Sequence, residues 1–196
     1  NCKFSYSGSG NAFDVDPSSV DSAFRYGIHL EGFLIDLGAS GVAGIYMENI
    51  AHSVVRDVFA INGASTAIHF DLRQAVLCHF DHCGTPIRRF TPTSIHQESL
   101  RLSVSPSKGG HATANVFTNL IAEGSSLAGV RVLQGTQNLF NGGTSESNTG
   151  RGALIGAASR NNTFNGFDME ANTLDDFRDE GKNTKFNNSI AISASG

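Results

Sequence analysis

Asn115-Val116-Phe117, Asn138-Leu139-Phe140, Asn162-Thr163-Phe164 and Thr184-Lys185-Phe186 repeat one short motif four times between residues 115 and 188. The phenylalanines lie 23, 24 and 22 residues apart, too far for a helical heptad and within the range of stacked solenoid repeats. The flanks keep the same register. Thr118, Asn141, Asn165 and Asn187 follow the Phe by one position, and Asn119, Gly142, Gly166 and Asn188 by two. Glu123, Glu146 and Glu170 stand six positions after it, with Ile192 in the fourth copy. One copy is read as one coil of a repeating fold.

The composition agrees with short strands and tight turns. The 196-residue chain has 22 Gly, 14 Phe, four Pro and no Trp, and no long helical periodicity. It reads as a single domain over 1–196, mature or excised from something larger. A net charge of −4 and a pI near 5.9 provide no basic face for nucleic acid. No apolar run approaches a membrane span, so a soluble protein is expected. Three cysteines cannot close a disulfide framework.

Outward from the motif, Gly129 to Val132, Gly152 to Ile155 and Asp175 to Phe177 form a second strand series in the regular half of the chain. In the first half, Ile28 to Asp36, Val54 to Asn62 and Val76 to Gly84 align at offsets of 26 and then 22 residues. Gly44 to Met47 and Ala67 to Phe70, 23 apart, supply that half's second series. Phe4 to Gly10 and Ala12 to Val15 are two alternating strand candidates at the start. Ser189 to Gly196 finishes a last strand. Pro86, Pro92, Pro106 and the run Ser105 to Gly110 interrupt the rhythm, so 86–114 reads as an irregular coil or inserted loop carrying one strand, Leu100 to Val104. Insertions in repeat folds project from one face, which is often the face that binds.

The run from Gly27 (Gly-Ile-His-Leu-Glu-Gly-Phe-Leu-Ile-Asp), the run from Gly44 (Gly-Ile-Tyr-Met-Glu-Asn-Ile) and the Asn-x-Phe-Asn-Gly coils resemble the single-stranded right-handed parallel β-helices of the pectate lyase-like superfamily. The flavour is that of phage tailspike and capsule-depolymerase domains and related bacterial surface proteins. The resemblance implies an all-β solenoid of seven or eight coils, about 23 residues each. It implies a polysaccharide partner and an extracellular or virion-associated setting. It also implies a homotrimer, for which Phe33 and Phe59 would offer exposed apolar contacts. Members include hydrolases, lyases, epimerases and non-catalytic adhesins, so the fold alone does not name a reaction.

The Asn columns read as ladders, each amide bonded to its equivalents about 4.8 Å above and below. The Phe column reads as a stacked aromatic core. The Glu column is the part the fold does not require. Carboxylates one coil apart suit the glycosidase separation of about 5 Å, which makes Glu146 and Glu170 the acid/base pair, with Glu123 tuning them. Asp168 shares Glu170's face, and Arg131, Arg151 and Arg160 are placed to neutralise an acidic sugar. Two other readings stand beside this one: a hydrated acidic stripe splayed into water, or an oxygen-rich Ca²⁺ site. No other cofactor is expected. Glu31, Asp57 and His79 form a second candidate column. In Cys78-His79-Phe80-Asp81-His82-Cys83, an inward Phe80 would turn His79, Asp81 and Cys83 outward as a metal or acid/base group. The chain is thus expected to bind, and as a hydrolase or lyase to cleave, an extended polysaccharide. The alternative is a non-catalytic structural or adhesive segment.

Overall fold

A computed structural model describes residues 2–15, 24–87, 89–90 and 92–191. Strands are its only regular elements, and among the described residues no helix is long and apolar enough to cross a membrane. The strands follow one another repeat by repeat. First come β1 (Cys2–Ser5), β2 (Asn11–Val15) and β3 (Arg25–Tyr26), then β4 (His29–Asp36) and β5 (Ala43–Ala51), then β6 (Val54–Ile61) and β7 (Ile68–Val76). The fourth repeat holds β8 (His79–Asp81), β9 (Gly84–Thr85), β10 (His96–Ser103) and β11 (Ala112–Thr113). The fifth holds β12 (Val116–Ala122), β13 (Ser125–Val132) and β14 (Gly135–Thr136), and the sixth β15 (Leu139–Glu146) and β16 (Arg151–Ile155). The last two hold β17 (Thr163–Asn165), β18 (Asp168–Glu170) and β19 (Phe177–Asp179), then β20 (Lys185–Asn187) and β21 (Ile190–Ala191).

These strands form two sheets, and every pairing is parallel. The first sheet runs β1-β4-β6-β8-β12-β15-β17-β20, with β9, β18 and β21 alongside. The second runs β14-β11-β7-β10-β13-β16-β19, and β5, β2 and β3 extend it beyond β7. The chain crosses from one sheet to the other within each of the first seven repeats, an arrangement compatible with a solenoid.

The quoted motif is the core of this stack. Phe117, Phe140, Phe164 and Phe186 are direct register partners, as the sequence predicts. Phe80 is a fifth member that pairs with Phe117 across a 37-residue repeat. Ring centroids from Phe80 to Phe164 are 4.9, 4.9 and 4.4 Å apart, with tilts of 13°, 11° and 4°. The rings share one hydrophobic core with the buried Leu72, Leu102, Val132 and Ile155 of the second sheet. Asn115, Asn138 and Asn162 are fully buried and form the expected ladder. Asn115 Nδ2 donates to Asn138 Oδ1 at 2.9 Å, and Asn138 Nδ2 to Asn162 Oδ1 at 3.0 Å. A second ladder, Asn148 Nδ2 to Asn172 Oδ1 at 2.7 Å, lies at another corner.

In the first half, two alignments need correction. His29, Val54 and His79 share one row, so both offsets are 25 residues. Val76 belongs to the end of β7, where it pairs with Ala51, so a strand drawn from Val76 to Gly84 crosses a corner. In the second series Ile45 pairs with Phe70, again 25 residues on. Apolar residues on both sides of each corner make such slips invisible to hydrophobic matching. Phe33 and Phe59 are 9% and 7% exposed. Phe33 turns into the core and Phe59 lies beneath a loop, so neither is the exposed contact that a trimer reading assigned to it.

The described part of residues 86–114 belongs to the lengthened fourth repeat. Its strand is longer than Leu100 to Val104, and as β10 it fits in register between β7 and β13. Loops flank it. Asn62 Oδ1 accepts the amides of Thr93 and Ser94 at 2.6 and 3.3 Å, which pins the first loop to the end of β6. Glu48 accepts the hydroxyls of Ser105, Ser107 and Tyr46, which pins the second. Burial raises the Glu48 carboxyl, but these donors outweigh it and hold the group below the usual range. Of the two segments expected at the start, Ala12 to Val15 lies within β2, whereas Phe4 to Gly10 shares only Phe4 and Ser5 with β1 and is otherwise bend and irregular chain. The expected last strand survives as β21, and residues 192–196, Ile192 included, lie outside the described residues.

Candidate functional site

The left-handed corner of the first sheet organises its outer face. Gly32, Asp57, His82, Asn119, Gly142, Gly166 and Asn188 all have φ between 48° and 76°. The flanking pairs Glu31–Arg56–Asp81–Thr118–Asn141–Asn165–Asn187 place them in one column. Five members are Gly or Asn, the residues that best tolerate this conformation. The two titratable members, Asp57 and His82, are neighbours, and Asp57 Oδ1 lies 2.6 Å from His82 Nδ1. The column expected as Glu31, Asp57 and His79 is therefore three different rows: Glu31 pairs with Arg56, Asp57 with His82, and His79 with Val54.

Above this corner lies a cleft of about 580 Å³, lined among others by Lys3, Glu31, Asp57, Phe59, His82, Arg89 and Phe90. Its far wall is the loop after β9. The Arg89 guanidinium stands 5.4 Å from the Phe90 ring centroid and 5.7 Å from that of Phe59. Phe59 meets His82 edge-on at 5.2 Å, which fixes the imidazole plane. With Nδ1 held by a carboxylate, Nε2 is the nitrogen left for chemistry. Glu31 lies 3.2 Å from His29 Nε2 and 3.8 Å from Arg56, and Lys3 lies 2.9 Å from Asp36.

The Glu column is partly assembled. Glu146 and Glu170 are register partners. Glu123 and Glu146, however, are only 5% and 8% exposed, which rules out a hydrated open stripe at those two positions. Each Glu immediately precedes a left-handed residue, Gly124, Ser147 or Ala171, that turns the chain into the second sheet. The adjoining groove of about 280 Å³ is lined by Thr93, Ser94, His96, Ser147 and Thr149 with apolar neighbours. Among the described residues, its lining includes His96 but no Phe, Tyr, Lys or Arg such as those at the cleft. Asp168 sits on Glu170's face with Met169 turned inward between them. Among the described residues, Asp168 Oδ1 and its register partner's Thr144 Oγ1 are buried without a hydrogen-bond partner.

Arg131 and Arg151 do come together, with Arg178, but on the second sheet and away from Asp168. Arg160 lies in a separate short ladder between Thr136 and Lys182. In the Cys78 to Cys83 segment Phe80 points inward as expected, but Cys83 does not turn out. The left-handed His82 resets the alternation, so Cys83 is buried with Sγ 3.3 Å from Val55 O. Burial pushes its thiol up to about 12. Among the described residues, no group of three His, Cys, Asp or Glu side chains could hold a metal ion, at the Glu cluster or elsewhere.

No protein-family model, curated protein or solved structure matches this chain. What the arrangement can do follows from its own side chains.

Sequence reasoning missed one buried polar cluster. His69 and His96 stack with ring centroids 3.9 Å apart. His69 bonds to Thr85 Oγ1 at 2.6 Å and Asn62 O at 2.7 Å, and His96 to Ser99 and Ser125 hydroxyls at 3.0 and 2.9 Å. Thr85 precedes the cleft loop, His96 follows it and Asn62 pins it, so the pair closes the base of that loop. Burial pulls His69 down to about 4, and burial with the neighbouring imidazole pulls His96 well below its usual value.

Proposed function

We propose that the two parallel stacks close into a right-handed β-helix of the pectate lyase-like kind, and that its surface binds an extended polysaccharide and cleaves it at the Asp57–His82 cleft. The observation that carries this reading is the cleft itself. Aromatic faces, cations and carboxylates around one opening of about 580 Å³ are the groups a sugar ring and its hydroxyls require. A rigid, repetitive sheet face continuing on both sides suits a repeating polymer.

Hydrolysis divides among three side chains. Glu31, a carboxylate flanked by Arg56 and His29, takes a proton from water as the water oxygen bonds to the anomeric carbon. His82 gives its Nε2 proton to the departing glycosidic oxygen as the C–O bond breaks. Asp57 holds Nδ1–H and fixes the ring's orientation. Phe90 seats the sugar with Phe59 buried behind the imidazole, and Arg89 and Lys3 favour an acidic one.

A second reading keeps catalysis at Glu146 and Glu170, with Glu123 beside them, and is supported by the direct pairing of the first two across adjacent strands. One experiment separates the two. The protein is incubated with a panel of bacterial and plant polysaccharides, and both reducing ends and unsaturated-uronate absorbance are read. His82→Ala and Glu31→Gln should each lower the rate about a hundredfold or more, while Glu146→Gln stays active. Loss only in Glu146→Gln would move the site to the Glu column. Absorbance from unsaturated uronates would make the enzyme a lyase. No binding or turnover across the panel would leave the non-catalytic structural or adhesive role.

A further inference from the structure

The outer face of the second sheet carries a feature that the cleft does not use. Arg131 on β13, Arg151 on β16 and Arg178 on β19 come from successive repeats and line one groove of about 190 Å³, together with Leu133, Leu154 and Glu180. Leu154 stands in register between Arg131 and Arg178, and the directly stacked like charges are Arg131 and Arg101, an unfavourable pairing unless something compensates. The compensation present is shared. Glu98, fully buried, receives Nε and Nη2 of Arg101 at 2.6 Å each and Nη1 of Arg131 at 2.8 Å. Arg101 and Arg131 are direct register partners, so one carboxylate serves two facing guanidiniums, while the buried Asp71 pairs with Arg101 from the other side.

A second observation concerns a single atom. Among the described residues, Arg131 Nε is buried and has no acceptor. A buried donor in that state is costly, and an acceptor reaching it as the side chain adjusts around a bound group would relieve that cost. Arg151 directs Nε to Asp175 at 3.1 Å. Arg178 pairs with Glu180 at 2.8 Å, both half-exposed, and a surface pair of this kind contributes little to stability. Arg178 can therefore exchange Glu180 for a better oxyanion. Leu133 and Leu154 keep the groove apolar, which strengthens charge-assisted hydrogen bonds within it.

We propose that the groove framed by Arg131, Arg151 and Arg178 is an oxyanion-binding site for a carboxylate or sulfate group. It lies on the opposite sheet from the cleft and does not depend on the polysaccharide reading. The guanidinium fork matches the two oxygens of such a group.

The test is a titration of the ¹⁵N-labelled full chain, following the arginine Nε–Hε resonances with sodium glucuronate, sodium sulfate and glucose at ionic strength balanced with chloride. A saturable shift of the Arg131 resonance with glucuronate or sulfate, and none with glucose or chloride, is expected. Saturation by glucuronate alone assigns a sugar carboxylate; saturation by sulfate as well assigns a general oxyanion, free or esterified. Arg178→Gln changes a half-exposed side chain, and its backbone amide spectrum reports the fold. It should weaken binding about tenfold or more. An equal response to glucose or chloride, or unchanged affinity in a folded Arg178→Gln, would overturn the assignment.

Discussion

Acid should loosen this protein through one identifiable pair of side chains. In the unfolded chain His69 takes up a proton near its ordinary pKa of 6.5, but in the folded chain it stays neutral down to about 4. As pH falls between those values the unfolded state binds the extra proton, so stability present above pH 6.5 drains away toward pH 4. A gap of that size corresponds to about 3 kcal/mol for His69 alone, and His96, depressed in the same direction, adds to it. Urea unfolding followed by circular dichroism at pH 7 and pH 4.5 measures the loss. Asp36 and Glu48, both held below their usual values, also lose stability in acid as the pH falls through their folded values. The wild-type slope must therefore be compared with that of His69→Gln. The variant should be less stable at pH 7 and lose about 2 to 3 kcal/mol less on acidification. Equal slopes in the two proteins would refute the reasoning.

Three further outcomes follow from packing. Asn138→Ala removes the acceptor for the Asn115 amide and side chain and the donor to Ala112 O and Asn162 Oδ1; it should cost at least about 2 kcal/mol in urea unfolding. Phe140→Ala opens a cavity between two stacked rings and should cost about 3 to 5 kcal/mol, whereas Phe186→Ala, partly exposed at one edge of the sheet, should cost clearly less by the same measurement. Titration with a thiol reagent should label Cys2 alone in the native chain and add Cys78 and Cys83 only on unfolding, because those two are buried.

What could be read from the sequence is the part each repeat must solve identically. An Asn amide at a buried corner needs another amide above it and a Phe needs a ring above it, so chemistry recurs at Asn115, Asn138 and Asn162 and at Phe117, Phe140 and Phe164. The fifth ring, Phe80, escapes because two loops stretch its interval to 37 residues. The Asp57–His82 pair was hidden for a different reason. Left-handed residues at the corners interrupt the two-residue alternation, so apolar matching slid the first-half strands by one to three positions and turned Cys83 the wrong way. A signal was present: Gly32, Asp57 and His82 are spaced by 25 residues at a position where later repeats have Asn or Gly. The pairing of Glu146 with Glu170 was legible from spacing. The burial of Glu146 was not, because it depends on how the corner folds under the lengthened repeat.

The most direct test of the cleft as the sugar site is a crystal structure of His82→Ala soaked with the longest oligosaccharide that survives incubation. A sugar ring bounded by Phe59, Phe90 and Glu31 is expected, with a glycosidic oxygen facing the space vacated by the imidazole. Sugar density confined to the groove beside Ser147 and Thr149, with the Asp57 cleft empty, would contradict it.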